Sequence, residues 1–316
     1  MKKILLILLL LTATLFAAQQ GSVQLTPLSY DQVPYPMPVK KLTVDGYKVA
    51  YVDSGSQGEA VLFLHGWSSS ILGYAPILGM FKAPKFRAIA LDYIGNGRSD
   101  KPDLLTVHSI AFKVKTAMLL LKHLGIKKAH IAGHSMGGVV SSLFALTHPD
   151  MTSSIILLGP AGMVKLSPQM IANMKNSYEN FAGITTMKNV QAFIQMLYYK
   201  WKPEWNALLP TFKRLAIHPE AQKIRIASKH SFFDMLDSSL TLADKLPKIK
   251  APVLVILGKQ DKLIPGTLVT MDAYLTQLKK NFKKVKIEIL NECGHVMPVE
   301  QPSKTANTIM DFILGL

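Results

Sequence analysis

The sequence predicts an α/β protein with a mostly parallel sheet covered on both faces by helices, and three observations predict it. First, short apolar runs recur and each ends in a polar or glycine-rich turn: "AVLFLHGW", "FRAIALDYIGNG", "KAHIAGHSMGG", "SSIILLGPAG", "PVLVILGKQD" and "KVKIEILNECGH". Continuous apolar strands of this kind are buried on both faces, unlike the alternating strands of a half-exposed sheet. Second, helix-like stretches separate several of these runs. From Val107 to Leu124, apolar residues fall at three- and four-residue spacing, the period of a helix face. Third, the rhythm breaks once, between Met163 and Leu246, where amphipathic helical segments rich in aromatics replace the β runs.

Taken in order, the chain opens with "MKKILLILLLLTATLFAAQQ", in which Lys2 and Lys3 precede an apolar run and small residues at Ala13, Ala17 and Ala18. That is the layout of a secretory signal, so residues 1–18 are expected to direct export to the periplasm or beyond and to be cleaved near Ala18. The alternative is an uncleaved anchor, but a helix over Ile4–Ala18 reaches only about 22 Å at 1.5 Å per residue, short of the hydrocarbon core. Residues 19–39 carry four prolines in "TPLSYDQVPYPMPVK" and read as an extended lead-in. "KLTVDGYKVAYVDSG" is a hairpin turning on Asp45-Gly46. The core is expected over 40–162 and 247–316, with a helical insertion over 163–246 placed above the carboxyl ends of the strands.

Composition narrows the chemistry. With 49% apolar residues the 316-residue chain can bury a large core. Its single cysteine, Cys293, permits no internal disulfide. The formal charge is +16, or +14 without Lys2 and Lys3, and favours anionic surfaces such as lipid headgroups. The lysines recur as separated pairs without a nucleic-acid motif, so no nucleic-acid partner is expected and a loose attraction to a membrane surface is. There is no HExxH, no paired cysteine and no phosphate-binding loop, so neither metal nor cofactor is expected.

"GHSMG" fits the GxSxG elbow, in which a serine sits on a tight strand-to-helix turn, and the required context is present. "AHIAG" precedes it as a strand and "GGVVSSLFALTHP" follows it as a helix. Ser135 is therefore the candidate nucleophile, and the backbone N–H of Met136, at the helix start, can face a developing oxyanion. A serine hydroxyl needs a base. Of nine histidines, His295 alone lies just beyond the last predicted strand, whereas His134 is expected to pack or hydrogen-bond locally. The imidazole needs a carboxylate to orient it. Asp261 ends the run "PVLVILGKQD" and is the candidate; Glu292, three residues before His295, is expected to be solvated. "FLHGW" supplies a second oxyanion donor through the Trp67 backbone N–H, with His65 and Gly66 shaping the loop.

These residues resemble the α/β-hydrolase superfamily over roughly 40–316: "HGW", "DYIGNGRSDKP", "GHSMGG", "GKQDKLIP" and "GHVMPVEQP" occur in the family's order. The resemblance implies an eight-stranded, mostly parallel sheet and a Ser135–His295–Asp261 triad. It also implies oxyanion donors at Met136 and Trp67, and a cap domain made by the aromatic insertion. Asp92, Gly95, Gly97 and Ser99 would shape a loop without a catalytic role. Epoxide hydrolases and haloalkane dehalogenases place an aspartate at the elbow, where this chain has Ser135, so both are rejected.

Two activities fit cofactor-free serine chemistry. The leader favours a capped carboxylesterase or lipase acting on a small ester or lipid, because exported hydrolases commonly meet such substrates. The alternative is a hydrolase that cleaves a carbon–carbon bond in ring-fission diketones, which arise inside the cell. A third reading, from another class, is a non-catalytic ligand-binding member of the fold.

Overall fold

The chain enters its sheet through a two-residue turn. Asp45 and Gly46 both take positive φ, 49° and 86°, which matches the twist of the flanking strands. They join β1 (Lys40–Val44) to β2 (Tyr47–Asp53) with Val44 opposite Tyr47. The computed structural model describes residues 26–55, 57–182, 195–203, 214–264 and 269–316. The leader over 1–18, and Phe193 and Trp205 of the insertion, lie outside the described residues.

Six further strands follow: β3 (Glu59–Leu64), β4 (Phe86–Leu91), β5 (Ala129–His134), β6 (Thr152–Leu158), β7 (Val253–Gly258) and β8 (Val285–Leu290). They assemble in the order β1-β2-β4-β3-β5-β6-β7-β8, and every pairing from β4 onward along this order is parallel. The sheet is thus the eight-stranded, mostly parallel one expected. From β3 the chain crosses to one side to make β4 and then to the other to make β5. The strand order reverses there, so β3 and β5 are parallel neighbours and the loops that leave them lie at the same end of the sheet, where ligands of such sheets bind.

The described helices are α1 (Ala75–Leu78), α2 (Ile110–His123), α3 (Met136–Thr147), α4 (Pro168–Ala182), α5 (Ala221–Lys245), α6 (Met271–Asn281), α7 (Met297–Glu300) and α8 (Pro302–Leu314). Two apolar layers sandwich the sheet. Leu62 and Leu64 point into a layer with α2, α3 and α6, whereas Val61 and Phe63 point into one with α1 and α8. This two-residue alternation is the strand period, with both phases apolar because both faces are covered. Among the described residues no helix is long and apolar enough to cross a membrane.

Two expectations are refined. The helix read over Val107–Leu124 begins later, because Ser109 is extended at φ −66° and ψ 157° and caps α2 by accepting from Phe112 N. A single 3-10 turn, Leu105–His108, precedes it. The described part of the lead-in is not wholly extended: Ser29 and Gln32 close a capping box around Tyr30–Gln32. It is also fastened down. Tyr35 Oη donates to Asp92 at 2.6 Å, Arg98 donates to Val33 O at 2.6 Å, and Arg214 Nε donates to Thr26 O at 2.8 Å.

Candidate active site

Ser135 stands between β5 and α3 at φ 53° and ψ −115°. A side-chain-bearing residue takes this backbone only where its surroundings hold it there. They do so by close backbone approach. A Cβ on Gly133 would lie 2.1 Å from the Gly137 carbonyl oxygen, and one on Gly137 would lie 2.1 Å from that of Leu64. Glycine at both positions lets strand and helix meet at this angle. Ser135 N donates to Leu158 O at 2.9 Å, and Ser135 O accepts from Gly138 N and Ala161 N. Met136 begins α3, so its N–H is among the first-turn amides that have no intrahelical acceptor.

The loop after β3 runs alongside the elbow. A Cβ on Gly66 would come within 3.3 Å of Ser135 Cβ, which puts Trp67 one residue beyond that contact. His65 holds the loop: its Nδ1 donates to Gly66 O at 2.8 Å and its Nε2 accepts from Tyr93 N at 3.1 Å. Burial lowers its pKa to about 3, so the ring stays neutral and can fill both roles. The Trp67 indole Nε1 donates to Ser228 O of α5 at 2.8 Å, and the ring packs on Phe232 at 5.3 Å and Tyr178 at 5.9 Å. Ser228 Oγ also donates to Ser68 Oγ at 3.2 Å. Helices of the expected insertion therefore lie directly over this loop.

On the other side, His295 Nδ1 donates to Asp261 Oδ2 at 2.8 Å, and both side chains are buried. Asp261 Oδ1 accepts from Leu263 N at 2.8 Å and Ile264 N at 2.9 Å. Burial alone would raise the Asp261 pKa, but the His295 charge, its hydrogen bond and the two amides outweigh it, and the pKa is lowered. An ionised Asp261 fixes the proton on Nδ1 of His295 and leaves Nε2 as the basic nitrogen.

Ser135 joins this pair through its neighbour. The His134 ring lies 4.8 Å from the His295 ring, and His134 Nε2 donates to the His295 carbonyl at 2.8 Å. The local bond expected of His134 is instead a link across 161 residues. Burial, reinforced by the nearby His295 charge, lowers its pKa to about 3, which removes it as a proton carrier near neutrality. Gly159 fills the gap beneath, where a Cβ would lie 3.3 Å from His295 Nδ1 and 3.4 Å from Asp261 Oδ2.

Two residues that the sequence reading did not single out, or gave a lesser part, shape the site. Glu300 collects Gly294 N at 2.9 Å, Tyr199 N at 2.8 Å and Val296 N at 3.1 Å, so it staples the loop bearing His295. Its burial raises its pKa in spite of those three donors. The signal was available in the acid of "GHVMPVEQP", five residues past the histidine. Asp92 is buried and accepts from Tyr35 Oη at 2.6 Å, Ile71 N at 2.7 Å and Arg98 N at 2.8 Å, consistent with the loop-shaping part the resemblance implied. Glu292 is exposed.

The chain matches the family described as alpha/beta hydrolase fold over residues 59–302. It is 28% identical over 280 residues to a 2-hydroxy-6-oxo-6-phenylhexa-2,4-dienoate hydrolase of Burkholderia cepacia, covering 85% of this chain and 92% of that one. It is 26% identical over 294 residues to monoacylglycerol lipase abhd6-A of Xenopus laevis, covering 89% and 83%. Among solved structures, a serine hydrolase of Cycloclasticus zankles superposes with a TM-score of 0.73 at 18% identity, over 88% of this chain and 98% of that one. That likeness is one of fold. With the family match spanning most of the sheet, both strand-end loops and the elbow, this chain belongs to the alpha/beta hydrolase family.

Proposed function

We propose that the chain is a serine hydrolase of carboxylic esters, with Ser135 as nucleophile, His295 as general base and then acid, and Asp261 as the group that orients His295. The observation that carries this reading is the 2.8 Å bond from His295 Nδ1 to an Asp261 carboxylate held ionised, because it leaves Nε2 free to take a proton. As Ser135 Oγ bonds to the ester carbonyl carbon, its proton passes to His295 Nε2 and the carbonyl π electrons move onto oxygen. The backbone N–H groups of Met136 and Trp67 receive that oxyanion. Each such donor contributes about 2.7–4 kcal/mol in comparable sites. His295 then protonates the leaving alkoxide, which departs as the alcohol and leaves an acyl-enzyme. Water, deprotonated by the same nitrogen, releases the acid and restores Ser135.

The relatives support two substrate classes, since one is named for a monoacylglycerol and another for a ring-fission dienoate. The ester reading is preferred because of the leader: residues 1–18 are proposed to export the protein and to be removed, which separates it from ring-fission products made inside the cell. The cap is proposed to span 163–246, in keeping with the seat of α5 and α4 on Trp67. The charge of +16 supports a loose attraction to anionic membranes.

The test is hydrolysis of a p-nitrophenyl ester series and of a vinylogous diketone by the wild type and by Ser135→Ala. Loss of about 10⁶ in kcat on the esters is expected. Wild-type turnover by Ser135→Ala sinks the mechanism. Turnover of the diketone in preference to every ester replaces the substrate class.

A further inference from the structure

The strand-entry edge of the sheet, opposite the site, carries a belt of exposed lysines. Two stretches, "KLPKIK" over 245–250 and "KKNFKKVK" over 279–286, contain eight lysines and no acid, half of the chain's formal charge of +16. The structure brings them together: Val253 N donates to Lys284 O at 3.0 Å, and Val253 pairs with Val285 as β7 and β8 begin. Lys248, Lys250, Lys283 and Lys284, with Pro247 and Ile249, line a cleft of about 450 Å³. All eight lysines are exposed.

Their crowding at one end of two neighbouring strands sets them apart. Several lysines elsewhere are matched, as in Lys115 with Asp45 at 2.6 Å, Lys175 with Asp237 at 2.7 Å and Lys229 with Glu179 at 2.5 Å. Among the described residues none of the eight forms an ion pair. Of the acids near this end, Asp244 is paired with Lys165 at 2.6 Å, Glu59 contacts His130 at 3.2 Å, and Asp150, just before β6, is exposed. The belt continues along the strand entries through exposed Lys127 and Lys128 before β5 and Lys82 and Lys85 before β4. Crowding like charges in this way costs folding energy through self-repulsion, and a negative counter-surface relieves it.

We propose that this lysine edge docks on an anionic phospholipid bilayer, so that the Ser135–His295 side of the sheet points away from the lipid. Charge complementarity argues for the occupant. Clusters of four to eight basic residues bind anionic headgroups as point charges, with no fixed geometry required. A nucleic-acid surface commonly adds arginine forks and exposed aromatic rings. The two stretches have no arginine, and their one aromatic, Phe282, is buried. Orientation follows from the strands. Lys250 and Lys284 precede β7 and β8, whereas Asp261 and His295 follow them, six strand residues or about 20 Å farther on. Docking stands on charge and placement alone; only its orientation relative to a hydrolytic site rests on the function proposed above.

The experiment is co-sedimentation of the full chain with vesicles of phosphatidylcholine alone and with phosphatidylglycerol added, so that the leader contributes equally to every variant. The wild type is expected to prefer the anionic vesicles, and less so as salt rises. The variant Lys248→Gln/Lys250→Gln/Lys283→Gln/Lys284→Gln is expected to lose at least about tenfold in that preference. A control with the same charge change elsewhere, Lys41→Gln/Lys48→Gln/Lys223→Gln/Lys304→Gln, is expected to lose much less. Should the fourfold variant unfold, Lys283→Gln/Lys284→Gln on the exposed turn carries the comparison. No anionic preference in the wild type, or equal loss in both fourfold variants, overturns the proposal. Tighter retention of a duplex DNA at the same salt, lost with the same lysines, reassigns the surface. The lysine variants are expected to keep wild-type ester turnover, so a failure of the hydrolytic reading shows as absent turnover in every protein and leaves the sedimentation result standing.

Discussion

His134 Nε2 donates a hydrogen bond to the backbone carbonyl of His295 at 2.8 Å, joining the residue beside the proposed nucleophile to the residue proposed as base. The bond is buried, and its donor is kept neutral by a pKa lowered to about 3. A ring that does not titrate near neutrality makes a constant strut, unaffected by the proton that His295 would gain and lose in the proposed cycle.

That strut is open to test. In His134→Ala the His295 carbonyl loses its partner, at a cost of about 1–3 kcal/mol in stability. A fall in kcat of about tenfold to a hundredfold is expected, with KM little changed, because the base shifts while the substrate pocket stays. His134→Gln, which restores a donor, is expected to recover part of both losses. Steady-state kinetics beside urea unfolding checks this, and an unaltered kcat in His134→Ala would remove the positioning role.

Asp261→Asn is expected to lower kcat by about 10⁴, since an amide supports the wrong tautomer of His295. The pH dependence has a definite sign. Burial opposes ionisation of Asp261, but His295 and the two amides prevail and its folded pKa is lowered. The stabilisation is present above the unfolded carboxylate value and is lost as pH falls through the folded one. The gap in unfolding midpoint between wild type and Asp261→Asn should therefore close under strong acid, as Asp261 is protonated. A gap that persists undiminished in strong acid contradicts the assignment.

Trp67→Phe keeps an aromatic ring against Phe232 and Tyr178 but removes the indole donor to Ser228 O. The loop carrying the Trp67 N–H then loses a tie to α5. We expect a drop of several-fold in kcat and a loss of about 1 kcal/mol in stability. Ester kinetics and thermal melting measure the two effects.

Lys113, on α2, is buried and donates to Ser231 Oγ of α5 at 2.8 Å and to the His108 carbonyl. Burial lowers its pKa to about 7, with Asp234 opposing the shift. Between that value and the ordinary lysine range the unfolded chain holds more protons than the folded one, so stability from this group rises with pH. Relative to Lys113→Met, the wild type should become steadily more stable from pH 7 to 9.5. Parallel stability curves for the two proteins would refute the shift.

Sequence by itself determined the strand runs, the glycine-bounded elbow at Ser135 and the chain order of Ser135, Asp261 and His295. Those features are local: a short continuous apolar run, a turn that admits only glycine at 133 and 137, and a polar residue at the end of a strand. Tertiary structure alone decided the rest. Whether His134 bonds to a near neighbour or to a carbonyl 161 residues away, and whether Glu300 faces water or three amides, depends on which strand ends the sheet order places side by side. So does the gathering of lysines from 245–250 and 279–286 at one edge, which "KK" pairs spaced along the chain did not reveal. Hydrogen bonds and charge fields act through space, and distance along the polymer carries no information about either until the strands have been ordered.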